Sequence, residues 1–238
     1  MPRHKEAERN RVMGETRRLL LDAATGETIK VYADADTPIE VLHIGGTLVT
    51  TDAKTSTVRA VSAESGELLW EDEDERKGGS FGDAAVAASD DDEDYSGIAV
   101  AFGVIQNTSG TPGNINDVLI RAYEPATGER LWAYTIDHGA DDMGLDNIAT
   151  SQGRVYFAYM SFACEPDVMC PNWKLSALDA EDGAPLWSTG WYPGYIDGLA
   201  ARGKNVAATA WHGIHGFNAR NGEHLWSSFD FPEAPLFP

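Results

Sequence analysis

The groups of this 238-residue chain able to bind a metal or move a proton are six histidines, two cysteines and 38 carboxylates, the last spread over loops and turn phrases. His212 and His215 stand three apart in AWHGIHGF, beside Trp211. Two imidazoles across a tight turn can face one ligand, but no aspartate or cysteine adjoins them in sequence, and the phrase reads equally well as a packed hairpin. His43, His138 and His224 belong to no recognisable catalytic arrangement. Two segments resemble each other weakly, GADDMGLDNIAT at 139–150 and GWYPGYIDGLAA at 190–201. They offer Asp141, Asp142 and Asp146 in the first and Asp197, Tyr192 and Tyr195 in the second, a set with the chemistry of a cation-binding or polar mouth. The plainer reading is aspartates bonding to turn amides. Cys164 and Cys170, six apart, can close a small disulfide ring. They make a poor zinc site, which wants four ligands with pairs two to four residues apart. If oxidised, the pair implies an exported protein.

Whatever these residues do depends on the elements that place them, and those elements repeat. LDAATGETIK (21–30), VSAESGELLW (61–70), YEPATGERLW (123–132), LDAEDGAPLW (178–187) and FNARNGEHLW (217–226) are five copies of one phrase. An apolar run, small or acidic residues, a glycine (Gly26, Gly66, Gly128, Gly183, Gly222) and a second apolar run describe a hairpin. The glycine supplies positive φ, and Asp22, Thr25, Thr127 or Asn218 can bond to turn backbone groups. Four residues after the last four glycines stand Trp70, Trp132, Trp187 and Trp226; the first copy has Lys30 there. A large ring at a fixed point of a short strand is best buried against the neighbouring repeat.

Further glycines, Gly46, Gly97, Gly153 and Gly203, mark a second turn in each unit, so that each unit reads as four short strands. Apolar and polar residues alternate partly and no amphipathic helix of three turns is found. The two middle units are enlarged in the same connection, at 103–117 and 161–173. Many short strands with one hydrophobic motif per four-strand unit predict an all-β chain: a β-propeller of four-stranded antiparallel blades, about four and a half of them. The alternatives are an open ring, a fragment of a longer propeller, or a small five-bladed ring. The expected organisation is a polar tail at 1–16, one repeat domain at 17–230 and a tail at 231–238. Open blade edges invite self-association.

With its A-x-D-x-x-T-G-x-x-x-W type of phrase, the chain from Arg17 to Phe229 resembles the pyrroloquinoline-quinone-like (PQQ-like) repeat propellers. That family includes quinone-dependent dehydrogenases and outer-membrane assembly scaffolds. The resemblance implies that Trp70, Trp132, Trp187 and Trp226 dock between blades, and that inner strands line a central channel with Asp141, Asp142, Asp146, Asp197, Tyr192, Tyr195, His212 and His215 near its mouth. In the quinone enzymes an indole stacks on the cofactor beside a calcium ion; Trp173, Trp191 and Trp211 lie outside the phrase and are free for such use. The calcium constellation and the adjacent cysteines of those enzymes have no counterpart here, so the expectation is no cofactor. The alternative is a fragment of a PQQ- and calcium-dependent alcohol or sugar dehydrogenase.

A formal charge of −20, with dense acidic runs at 71–76 and 90–94, leaves no basic stripe for phosphates and argues against nucleic-acid binding. Six lysines against twelve arginines in so acidic a chain suit the surface of a protein from a salt-loving organism. No apolar stretch approaches a membrane span and no signal-peptide core is present in MPRHKEAERNRVMGE. The motifs explain folding rather than bond making. The functional expectation is a non-catalytic scaffold with a protein partner, on the extracellular or cell-surface side, with the two enlarged connections side by side as the contact surface.

Overall fold

The computed structural model is all strand and turn among the residues it describes: 18–21, 28–32, 41–44, 46–52, 57–73, 79–87, 97–105, 116–140, 148–161, 171–211 and 213–228. The chain divides into two compact units, Met1–Ile39 and Glu40–Pro238. The boundary falls within the 17–230 stretch of the repeats. Of the first unit, β1 (Arg18–Leu21) and β2 (Thr28–Tyr32) form a two-stranded antiparallel sheet.

The second unit holds four antiparallel sheets, each a meander. The first comprises β3 (Val41–Ile44), β4 (Thr47–Asp52), β5 (Thr57–Ser62) and β6 (Leu68–Glu73). The second comprises β7 (Gly79–Ala87), β8 (Ile98–Ile105), β9 (Asn116–Tyr123) and β10 (Arg130–Ala140). The third comprises β11 (Ile148–Ser151), β12 (Arg154–Ser161), β13 (Asn172–Asp179) and β14 (Pro185–Ser188), with β15 (Tyr192–Pro193) also paired to β13. The fourth comprises β16 (Ile196–Arg202), β17 (Asn205–Ala210), β18 (Gly213–Asn218) and β19 (His224–Ser228).

An interior sheet faces two neighbours, so a strand such as β12 carries apolar residues on both of its faces. Along β12, Val155, Phe157 and Tyr159 join Val100, Ile120, Ala122 and Trp132 of the second sheet in one core. The alternate residues Tyr156, Ala158 and Met160 join Val206, Ala208 and Phe217 of the fourth. A third core sets Ile44, Val49, Val58 and Ala60 against Leu119 and Tyr123. The sheets therefore pack in series. Among the described residues no such core joins the fourth sheet to the first.

The phrase turns share one geometry. Gly66, Gly128, Gly183 and Gly222 have φ of 67°, 73°, 73° and 71°, and the amide of each donates to the carbonyl four residues earlier, at 2.7–3.0 Å. Side chains close the remaining amides: Glu181 N donates to Asp179 Oδ1, Ala184 N to Asp182 Oδ1, Arg220 N to Asn218 Oδ1 and Glu129 N to Thr127 Oγ1. That is the physical reason for the small polar residues of the phrase.

Candidate partner-binding rim

Each sheet is fastened to the next by a tryptophan on its outer strand. Trp70 donates its indole N–H to the Pro125 carbonyl at 2.7 Å, Trp132 to Ala180 at 2.9 Å and Trp187 to Ala219 at 3.1 Å. In every case the acceptor is the third residue before the next phrase glycine. The ring lies on that glycine: a Cβ on Gly128 would stand 2.5 Å from Trp70, one on Gly183 2.7 Å from Trp132 and one on Gly222 2.5 Å from Trp187. The glycine thus serves two ends at once, a positive φ and a flat floor for an indole. Trp226 meets no such turn among the described residues; its ring covers Gly216 of its own sheet and is 48% exposed, against 8% for Trp132.

This rigid array presents one end of its sheets as a rim. The connection between the second and third strands leaves corresponding ends of three consecutive sheets: Ile105 to Asn116, Ser161 to Asn172 and Ala210 to Gly213. The strands run further into the first two connections than their composition suggests, so that residues 106–115 and 162–170 remain between them, outside the described residues. At the rim β14 stops at Ser188, and the chain returns as β15 to pair Tyr192 with Trp173. Exposed aromatics flank β15: Trp191 at 48%, Tyr195 at 40% and, in the turn of the fourth sheet, Trp211 at 60%. Tyr195 meets Trp211 edge to face at 5.8 Å, and its carbonyl accepts from Trp211 N at 2.9 Å. Trp191 packs edge-on to Tyr159 at 5.6 Å, with the Lys174 ammonium 5.6 Å above its ring. Next to it a cleft of about 390 Å³ runs between the second and third sheets, lined by Tyr134, Tyr159, Lys174, Ser176 and Ser188 over Leu178. Burial, and the neighbouring Tyr134, raise the pKa of Tyr159.

The remaining candidates are divided. His215 lies within β18 rather than in a loop, and its Nδ1 bonds to Ser227 Oγ at 2.9 Å, which in turn meets His224 Nε2 at 2.8 Å. Burial, and secondarily His224, lower its pKa. Tyr192 stacks on Trp173 at 4.8 Å and edges Phe217 at 5.5 Å, a place in the joint between the third and fourth sheets; burial raises its phenol pKa. Asp197 is exposed on β16, the first strand of the fourth sheet. Gly26, Asp141, Asp142, Asp146, Cys164, Cys170 and His212 lie outside the described residues. Among the described residues no cluster of three or more His, Cys, Asp or Glu side chains is disposed to hold a metal ion, and no helix is long and apolar enough to cross a membrane. Trp173 does not fit a stacked quinone. It is fully buried, with Tyr192 stacked on its ring and His215 and Phe217 against it edgewise.

Serial four-stranded antiparallel sheets, each wedged by an indole into a glycine turn of the next, define a PQQ-like repeat β-propeller. Residues 116–237, about half of the chain, match the family described as outer membrane protein assembly factor BamB, and the chain belongs to that family. Similar solved structures include BamB from Moraxella catarrhalis, 14% identical over 93% of this chain and 79% of that one, with a TM-score of 0.48. A protein of unknown function from Bacteroides caccae is 11% identical over 91% of this chain and 70% of that one, with a TM-score of 0.55, and shares the fold. The computationally designed Ika4 protein is 13% identical over 78% of this chain and 93% of that one, at a TM-score of 0.46. No curated protein matches the sequence.

Proposed function

We propose that the chain is a non-catalytic interaction module that holds a protein partner on the aromatic rim, on the extracellular or cell-surface side and in a high-salt setting. The observation that carries this is the exposure of Trp191, Tyr195 and Trp211 at the rim of a scaffold braced by buried joints. Exposed indoles and phenols held by their neighbours are the side chains that dominate binding energy at interfaces. The enlarged connections leave that same end of adjacent sheets, where loops on a rigid frame carry recognition. Membership in a family named for outer-membrane protein assembly supports a scaffold role and placement outside the cytoplasm. The charge of −20 supports the high-salt setting, since screening relieves its self-repulsion.

The test replaces Trp191, Tyr195 and Trp211 with serine and compares partner recovery from a native extract with that of the unaltered chain and of a form lacking 106–115 and 162–170. With the far-ultraviolet spectrum and unfolding midpoint preserved, recovery should fall at least about tenfold for both variants. Equal recovery overturns the assignment of the rim. We propose also that the module works without a resident quinone: titration with pyrroloquinoline quinone and calcium should give no saturable absorbance change, and 1:1 binding with dye reduction upon adding an alcohol or sugar would reverse that reading.

A further inference from the structure

The cleft of about 390 Å³ between the second and third sheets is of the size that takes a small organic molecule. Its polar groups are left over by the fold. Lys174 lines it half-buried, its ammonium 5.6 Å above the Trp191 ring, and among the described residues no carboxylate pairs with that ammonium. Tyr159 is 5% exposed, yet among the described residues its hydroxyl makes no hydrogen bond, and neither does that of the neighbouring Tyr134. Burial keeps the Tyr159 phenol protonated, so it stands ready to donate. Ser176 and Ser188 share one hydrogen bond at 2.8 Å, which leaves one of their two hydroxyl protons for a further acceptor. The remaining surface is apolar, from Ile136 on one sheet and from Leu178 and the exposed Leu186 on the other. Among the described residues no carboxylate lines the cleft, in a chain with 38 of them.

We propose that this cleft binds a small monocarboxylate with an apolar body, the carboxylate held by Lys174 and the Tyr134 and Tyr159 hydroxyls and the body laid against Ile136, Leu178 and Leu186. A single ammonium balances a single negative charge, and phenol hydroxyls beside it donate to the remaining lone pairs of a carboxylate. A phosphate monoester carries up to two charges and calls for a second cation, which the lining lacks. A neutral ligand would leave the ammonium unanswered in a half-enclosed site. The net charge of −20 repels anions at long range, and salt screens that repulsion more strongly than it screens a contact pair inside the cleft. The site lies beside the aromatic rim and needs neither Tyr195 nor Trp211, so it stands or falls apart from the partner-binding reading.

Titration calorimetry of the full chain in molar salt tests this with hydrocinnamate, with its neutral amide, and with the Lys174→Met and Tyr159→Phe variants. The unaltered chain should bind the acid saturably at 1:1 and at least about tenfold more tightly than the amide, the difference that one charge-assisted contact makes. Lys174→Met keeps an aliphatic stem against Trp191 and should bring the acid down to the affinity of the amide. Tyr159→Phe should weaken the acid about threefold or more. Serine at both Tyr195 and Trp211 should leave acid binding unchanged whatever it does to partner recovery; loss of acid binding there places the acid on the rim and overturns the cleft. An unaltered chain that shows no saturable binding of the acid up to about 50 mM overturns the proposal. Equal affinity for acid and amide overturns it too, a result read on the unaltered chain and independent of whether a variant folds. Undiminished acid binding by a folded Lys174→Met assigns the acid to another surface and overturns it as well.

Discussion

The joint between the first and second sheets and the joint between the third and fourth use the same wedge and differ in what surrounds it. At the first, Trp70 stacks on Tyr123 at 5.3 Å, and beside it Asp72 accepts from the Tyr123 hydroxyl at 2.6 Å, from Arg121 Nη1 at 3.1 Å and from Arg130 Nη2 at 2.9 Å. At the third, Trp187 lies 5.9 Å from Tyr156, and Trp173, Tyr192 and Phe217 stack beside it with His215 facing them. One joint is braced by charge and the other by aromatic packing with a titratable edge. The repeat phrase therefore specifies how blades meet, and the non-repeated residues decide how each seam responds to its surroundings. Burial pushes the Tyr123 phenol far above its usual range, with the Asp72 carboxylate reinforcing the effect, so the hydroxyl remains a donor.

The largest expected effect breaks what the joints have in common. Trp132 is 8% exposed between the second and third sheets, so Trp132→Ala should cost about 3–5 kcal/mol, the range for truncating a buried aromatic. Trp226→Ala, at 48% exposure, should cost under about 1 kcal/mol. Urea unfolding of the two variants in high salt measures the contrast. Equal losses would mean that the indole stabilises its own sheet rather than the seam.

A smaller effect separates the charged seam from the aromatic one. Asp72→Ala removes the carboxylate that accepts from Arg121, whose side chain is 8% exposed, and from the Tyr123 hydroxyl. Removing one member of a fully buried ion pair costs about 3–5 kcal/mol; at 21% exposure for the Asp72 side chain, about 2–3 kcal/mol is expected. Because the loss comes from desolvated partners, molar salt should not restore it. Full rescue by salt would show the cluster to be an ordinary surface pair.

Much of this architecture is legible in the residues, and the exceptions have a common cause. TLVTTD and VLHI are strands β4 and β3 to the residue, because alternation and bounding turns are local signals. β15 leaves no such trace: Tyr192–Pro193 sits in a proline- and glycine-rich stretch and becomes a strand only because β14 ends early and leaves the Trp173 edge open. The Asp72 cluster joins residues 49 to 58 positions apart, a distance at which no spacing rule speaks. Tryptophan as a wedge is readable from its recurrence. That its floor is the glycine of the following phrase is not, because the phrase gives that glycine a sufficient reason in its own turn. Ser227 coupling His215 to His224 follows from register, since His215 pairs with Ser227 across β18 and β19. The HLWSS end of the phrase carries the signal, but histidine spacing along the chain directs attention to His212 instead.

The smallest effect tests the titratable edge of the third seam. Burial and the neighbouring His224 hold His215 below its ordinary value of 6.5 in the folded chain, so the unfolded chain binds more protons there. Stability attached to this group is therefore complete above about pH 6.5, where the imidazole is neutral in both states, and is lost as pH falls through the folded-state value. His215→Asn cannot titrate, and its asparagine oxygen can still accept from Ser227. The difference in unfolding free energy between the unaltered chain and this variant should be constant above pH 6.5 and should shift against the unaltered chain below it. A flat difference for His215→Asn would mean that protonated His215 is accommodated at the seam, with His224 or Tyr192 moving aside.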